Sequence, residues 1–426
     1  MSARPVELGL RANLPQFALL VAVNALVGAM VGLERSTLPL IGQASFGIGS
    51  SAAILSFIVA FGLAKSLANL GAGALAERIG KRRLLIAGWL IALPVPVLIE
   101  VAPSWGWVVG ANLLLGANQG LAWSMTVVMK VDLAGPSRRG LAIGLNEAAG
   151  YGGVAAAAAL SGWLAADYVA RDVLAAGGAV IAVAALVTTL AFVRDTADHV
   201  ALEQRRRRDR APSRARLRDA FPDATYRVPA LRSCSQAGLV NNLNDALTWG
   251  LVPLFLASHG AGTGEVGLVA GAYPAVWGAG QILAGHWSDR LGRKPLIVAG
   301  MLVQALALGL LAGSAARLAP ALAAAAALGA GTALVYPALI ARISDEVDPV
   351  ARVPAVGVYR FWRDMGYVVG GVVSGLLADA LGFGGALAAV AALTALSGLW
   401  VAIDLPGPRP RRRGLQGAAA PTMPGA

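Results

Sequence analysis

Cysteine is all but missing from this chain: among 426 residues only Cys234 is one, so no internal disulfide can form. Three histidines beside it make no cluster at zinc-ligand spacing, and neither a metal nor a cofactor is expected. Charge is scarce too. Asp, Glu, Lys and Arg are 14% of the residues, against about 25% in soluble domains, and a soluble protein of this length needs a more polar surface. Disorder is excluded by the opposite abundance, since 57% of the residues are hydrophobic. No nucleophile–base motif or phosphate loop stands out, and His199, His259 and His286 fall in or near connections, so an enzyme is not expected. What remains is a polytopic membrane protein, embedded in a lipid bilayer.

A bilayer-crossing helix needs about 20 mostly apolar residues. Twelve such stretches occur, at about 14–41, 47–72, 84–102, 105–130, 140–166, 172–193, 233–257, 264–286, 295–316, 319–341, 353–378 and 381–403. Pro94, Pro96, Pro253, Pro274 and Pro337 interrupt some of them, which membrane helices tolerate. The first span begins too early and runs too long for a cleaved signal peptide and is expected to be retained. The 35 basic residues against 23 acidic ones, a net charge of +12, would suit a nucleic-acid partner if they formed one patch. They do not: 29 of the 35 lie in the two tails and the connections after spans 2, 4, 6, 8 and 10, while the alternate connections hold only Arg171 and Arg317. The positive-inside rule then puts both termini and the central connection in the cytoplasm of a cell whose inner membrane holds the chain. The charge is a topology signal with some pull on anionic lipid, and no nucleic-acid partner is expected.

The chain repeats itself. Gly73-Ala-Leu-Ala-Glu77-Arg78-Ile-Gly80-Lys81-Arg82 returns as Gly285-His-Trp-Ser-Asp289-Arg290-Leu-Gly292-Arg293-Lys294, 212 residues on. Leu115-Gly116, Asp132, Pro136 and Ser161-Gly162 return at Leu328-Gly329, Asp345, Pro349 and Ser374-Gly375 with a shift of 213, and Pro39 returns at Pro253 with a shift of 214. A nearly constant shift means two similar six-helix halves, at 1–193 and 233–404, joined by an arginine-rich linker at 194–232 and followed by a tail at 405–426. The expected fold is all-α: twelve transmembrane helices in two pseudo-symmetric halves. In the repeated loop, glycines permit a tight turn, and Glu77 or Asp289 is suited to cap a helix or pair with the basic residues, forming a gate.

The paired loop, in the connections after spans 2 and 8, resembles the signature of the major facilitator superfamily, as does the layout of two six-helix halves with a cytoplasmic linker. The resemblance implies the fold of that superfamily and a secondary transporter, with a substrate site near the midplane between the halves and alternating access by rocking, working as a monomer. Span 4 holds Asn112-Leu-Leu-Leu-Gly116-Ala-Asn118-Gln119-Gly120 and span 5 holds Gly150-Tyr151-Gly152-Gly153, similar to motifs of the drug/proton antiporter branch. It departs from them where Gly116 stands in place of an arginine and where the span-5 proline is missing.

Ionisable residues at bilayer depth are functional candidates. Eight qualify: Glu34, Arg35, Lys65, Glu147, Asp245, Arg360, Arg363 and Asp364. On span 7, Asn241, Asn244, Asp245 and Thr248 share a helix face, and Asp245 lies roughly 18 Å from the cytoplasmic end with no basic residue within a turn. As a lone buried carboxylate it is a proton-carrier candidate, and Glu147 is a second. Arg360 and Asp364 are one turn apart and are expected to pair, leaving Arg363 without a local partner. Lys65 lies at similar depth on span 2, which the family's architecture sets against span 11. The expectation is a charge network of Lys65, Glu147, Arg360, Arg363 and Asp364 between the halves, or an anion site. Glu34 and Arg35 are adjacent, so at most one faces the cavity. Trp123, Tyr336 and Trp277 are candidate cavity walls, with Asn118 and Gln119 as polar neighbours.

These residues lead to proton-coupled efflux of a small molecule as the expected function. The alternative is an uptake symporter or facilitator for an anionic solute, suggested by the cations of spans 2 and 11. A non-transporting receptor or scaffold is a third reading, but it has no need of carboxylates at mid-bilayer.

Overall fold

The computed structural model describes residues 7–135, 138–206, 217–314, 317–347 and 352–406. The first half contains α1 (Leu14–Ala44), α2 (Ser51–Ile54), α3 (Ser56–Ile79), α4 (Lys81–Ala92), α5 (Pro94–Glu100), α6 (Trp105–Ala134), α7 (Arg139–Leu164) and α8 (Ala170–Phe192). Short α2 continues into α3, and Pro94 divides one span into α4 and α5, because proline cannot donate to the helix ladder. The linker contributes α9 (Ala197–Arg206), α10 (Leu217–Pro222) and a π-helical turn, Asp223–Arg227. The second half contains α11 (Pro229–Ser258), α12 (Thr263–Leu291), α13 (Arg293–Gly313), α14 (Leu318–Glu346) and α15 (Arg352–Asp404). Gly382, with φ of 72°, breaks α15 into two arms, so the described residues hold the twelve expected spans.

Among the described residues, seven helical segments are long and apolar enough to cross a membrane on length and composition, the two arms of α15 counting as one. The other four, α6, α7, α11 and α12, carry much of the polar chemistry. Large apolar side chains stay uncovered on the outer surfaces of α8 (Val180, Phe192), α13 (Leu306, Leu310) and α15 (Leu376, Ile403), where lipid is the natural solvent. Several helices outrun their apolar stretches: α3 continues to Ile79 and α12 to Leu291. Backbone hydrogen bonding does not stop where hydrocarbon does, and each of these helices ends at a glycine with positive φ, Gly80 at 90° and Gly292 at 91°.

Tight helix crossings hold each half. A Cβ on Gly28 would lie 1.9 Å from the Gly150 carbonyl oxygen, and one on Gly116 would lie 2.2 Å from that of Phe61. Backbones meet there, as in membrane bundles whose packing depends on small residues. α7 against α12, α3 against α15 and α1 against α11 form the seam between the halves. The linker's π-helical turn docks beneath α15, where Trp362 Nε1 donates to Thr225 Oγ1 at 2.9 Å. Residues 207–216 of the linker, the tail from 407 and the Asp289 side chain, all singled out in the sequence, lie outside the described part.

Candidate functional site

The seam is closed at one face and open at the other. At the far face, opposite the chain ends, a Cβ on Gly162 would lie 2.6 Å from Gly267 Cα, and one on Gly375 would lie 2.5 Å from Ala52 Cα. Asp379, at the end of the first arm of α15, accepts from Ser50 Oγ at 2.7 Å and from the backbone N–H of Ser51 at 2.5 Å and of Ala52 at 3.2 Å, tying the second half to the first. Partial burial raises the Asp379 pKa, but these hydrogen bonds outweigh it and hold the carboxyl below the usual range. Toward the terminal face, α7 diverges from α12 and α14 around a cavity of about 400 Å³, lined by Gly144, Glu147, Gln281, His286, Tyr336 and Ile340 among others.

Between these lies the centre. Arg35 crosses from the first half to Asp245 in the second, donating from NH1 to Oδ1 at 2.6 Å and from NH2 to Oδ2 at 3.0 Å. Tyr367 also donates to Asp245, and both charged residues are buried. The expectation of a lone carboxylate is therefore corrected. Its partner comes from 210 residues away, and only association of the halves delivers it.

Asp364 is corrected as well. Instead of Arg360 it takes Lys65, at 3.7 Å, and Arg363, at 3.4 Å, and accepts from Asn69 Nδ2. Helical spacing allowed the Arg360–Asp364 pair, but α3 brings Lys65 and Asn69 against the carboxylate. Arg363 also donates to the Tyr151 hydroxyl at 3.0 Å and lies over the Tyr336 ring at 4.4 Å. Arg360 makes no ion pair within 4 Å among the described residues and lines a small central cavity with Lys65, Asn69, Tyr151 and Tyr336. That cavity, of about 20 Å³, has room for roughly one water. Tyr336 borders both this cavity and the open vestibule, so it is the wall between them. Glu147 accepts from Trp123 Nε1 at 3.0 Å and Asn146 Nδ2 at 3.1 Å, at the vestibule's inner end.

Other predicted residues are placed elsewhere. Glu34 turns away from Arg35 into the first half, beside Met30, Pro96 and Leu174, and its Oε2 has no hydrogen-bond partner among the described residues. Asn118 donates to the Gly88 carbonyl at 2.9 Å and Gln119 to that of Val27 at 2.6 Å, so both clamp neighbouring helices. Asn241 and Asn244 bond Gln304, each at 2.9 Å, inside the second half, separated from Asp245. The polar face of α11 thus serves two different neighbours.

In the repeated loops the pairing acid is not the expected one. Among the described residues Glu77 is exposed and unpaired, while Lys81 reaches Asp132 at the end of α6, at 2.5 Å. The second half repeats this with Arg293 and Asp345 at 3.2 Å. The next basic residue also has matching tasks. Arg82 donates to the carbonyls of Leu190 and Val193 at the end of α8, and Lys294 to that of Leu405 at the end of α15. Gly73 and Gly285 meet nothing within 4 Å, so only Gly80 and Gly292 serve a turn, and Arg78 and Arg290 stay exposed. Sequence reasoning missed Asp132 and Asp345 in this role although the repeat aligned them. It also missed Tyr151, a turn after Glu147, and Tyr367, three residues after Asp364.

A family model described as the Major Facilitator Superfamily matches residues 17–232 and 234–425. A probable 4-methylmuconolactone transporter of Cupriavidus pinatubonensis is 27% identical over 234 residues, 54% of this chain and 52% of that protein, so the likeness spans about half of the relative's length. The crystal structure of a D-xylose-proton symporter shares the fold with a TM-score of 0.73 at 16% identity, over 92% of this chain and 98% of that one.

Proposed function

The chain belongs to the Major Facilitator Superfamily, and from that premise we propose that it is a secondary transporter that takes up a small organic anion together with protons by alternating access. It is a transporter and not an enzyme. The observation that carries the anion reading is the charge balance at the seam. Arg35, Lys65, Arg360 and Arg363 stand against Asp245, Asp364 and Glu147, and Arg360 has no ion-pair partner among the described residues. One uncompensated positive charge among aromatic walls suits a monocarboxylate, which brings the missing negative charge. By the positive-inside argument the terminal face is cytoplasmic, so the open vestibule makes this the inward-facing form.

Two carboxylates are available to move protons, one for each side. Opening the far face separates Arg35 from Asp245, because they belong to different halves, and leaves Asp245 to be protonated from outside. Glu147 meets the vestibule and releases inward. The efflux reading rested on likeness to the antiporter motifs of spans 4 and 5, and the contact of Gly116 with the Phe61 carbonyl leaves no space for the arginine of the span-4 motif. The name of the curated relative adds 4-methylmuconolactone, a lactone bearing one carboxylate, as a compound to test.

The test is uptake into proteoliposomes of the purified protein, with monocarboxylates such as benzoate and 4-methylmuconolactone, under an imposed inside-alkaline gradient. Accumulation that collapses with the gradient and is lost in Arg360→Gln supports the proposal. Transport of neutral solutes only would refute it.

A further inference from the structure

We infer that Trp277 and Gln281, one turn apart on α12, join Arg363 Nε in a clamp that hydrogen-bonds the substrate's carboxylate across the Tyr336 wall. This rests on the anion reading above and deepens it by naming donors that neither the charge pattern nor the loop motifs indicate. Trp277 Nε1, Gln281 Nε2 and Arg363 Nε are buried and have no hydrogen-bond partner among the described residues. The three residues are 0%, 6% and 5% exposed. Buried donors left unmet are costly and uncommon, and each calls for a partner.

The partner does not come from the carboxylates of the centre. Asp245 is taken by Arg35 and Tyr367, and Asp364 by Lys65, Asn69 and Arg363. Glu147 accepts from Trp123 and Asn146 through Oε1, and none of the three donors is within hydrogen-bond distance of it. An indole N–H and a guanidinium only donate, so Trp277 and Arg363 cannot satisfy each other, and the single amide oxygen of Gln281 cannot serve all three groups. A ligand that brings acceptors would meet them together. A carboxylate is acceptor-only and carries the charge the centre lacks, whereas a hydroxyl-rich neutral solute would bring donors as well.

Placement narrows the choice. The Trp277 ring lies against Tyr151 at 3.6 Å and within 6.3 Å of Tyr336, and the Arg363 guanidinium is 5.8 Å from the Trp277 ring. Gln281 lines the vestibule and Arg363 the central cavity. Gln281 and Arg363 therefore stand on either side of the Tyr336 wall, and Trp277 packs behind it against Tyr151. Trp277 lines neither cavity itself but packs on Tyr151 and Tyr336, which do; Trp89, by contrast, is inside the first half, and Arg35 Nε and Trp249 adjoin Asp245.

The experiment measures binding of acetate, benzoate and 4-methylmuconolactone to the purified full-length protein by calorimetry, with benzamide as the neutral counterpart of benzoate. The wild type is expected to bind at least one monocarboxylate and to prefer benzoate over benzamide. Trp277→Phe, which keeps the ring but removes the N–H, and Gln281→Leu should each weaken monocarboxylate binding about 5-fold, with melting temperatures near wild type. Gln281→Glu, which sets a charge like the substrate's own in the clamp, should abolish it. Wild-type binding with affinity unchanged in all three variants overturns the clamp and leaves the anion reading standing. No monocarboxylate binding by the wild type overturns both.

Discussion

Arg35 and Asp245 are each neutralised by the other, so removing one strands a charge in a place without water. Breaking a buried pair costs about 3–5 kcal/mol, while replacing both members with apolar groups is often close to neutral. Arg35→Ala is therefore expected to lower the melting temperature of the purified protein strongly, and Arg35→Leu with Asp245→Leu to recover most of the loss. A double mutant no more stable than the single one would show that the pair is not what holds this part of the seam. Gly116 makes a second residue-scale case. Gly116→Ala should destabilise by about 1–3 kcal/mol or more, since the new methyl meets the Phe61 carbonyl at 2.2 Å. Gly152→Ala, with nothing within 4 Å, should be near neutral in the same melting assay. Both residues sit in glycine-rich stretches and look alike in sequence; which one touches a backbone is decided by a helix elsewhere in the chain.

Among the elements, the start of α2 and the turn of α15 carry a latch whose strength depends on pH. Its sign follows from the lowered Asp379 pKa. The ionised carboxylate is what the hydrogen bonds favour, so the latch holds at and above the ordinary carboxylate range, near pH 4, and fails as the far-side pH falls through the depressed value. Asp379→Asn should loosen the far face at neutral pH. With a Leu55→Cys reporter, buried here against Gly250, labelling by a membrane-impermeant thiol reagent should rise several-fold in that background. Unchanged labelling would deny the latch any role in closure. The wild-type background is quiet for such work, because the lone Cys234 is buried. At the terminal face, Arg232 holds the Asp404 carboxyl down to about 2, helped by Ser233 against the opposing effect of burial. This tie between α11 and the end of α15 should persist through any pH at which the latch is tested.

At the scale of the molecule, one closed and one open face define a state, and the opposite state must exist for transport. Ile340→Cys, lining the vestibule, should react with an impermeant thiol reagent from the terminal face in the resting protein, and an excess of a transported anion should change that rate. Equal reactivity from both faces would contradict the inward-facing form. Glu147→Gln should leave anion exchange across the membrane intact while abolishing accumulation driven by a pH gradient, measured in the same proteoliposomes. Accumulation at the wild-type rate would remove Glu147 from proton movement.

The twelve spans, their alternation of charge and the doubled loop were readable from one sequence because each is local. A run of apolar residues, a cluster of arginines or a glycine-acid-basic motif means the same thing wherever the chain later folds. The repeat even aligned Lys81 with Arg293 and Asp132 with Asp345, although the ion pairs joining them were not read from it. Which residues face one another across the seam was decided only by tertiary structure. Asp245 met Arg35, Asp364 met Lys65, and Asn241 and Asn244 were drawn off to Gln304. Periodicity fixes the face of a helix on which a side chain stands, but not which helix arrives against that face. At low dielectric the arriving neighbour settles whether a charge is bound, stranded or left waiting for a ligand.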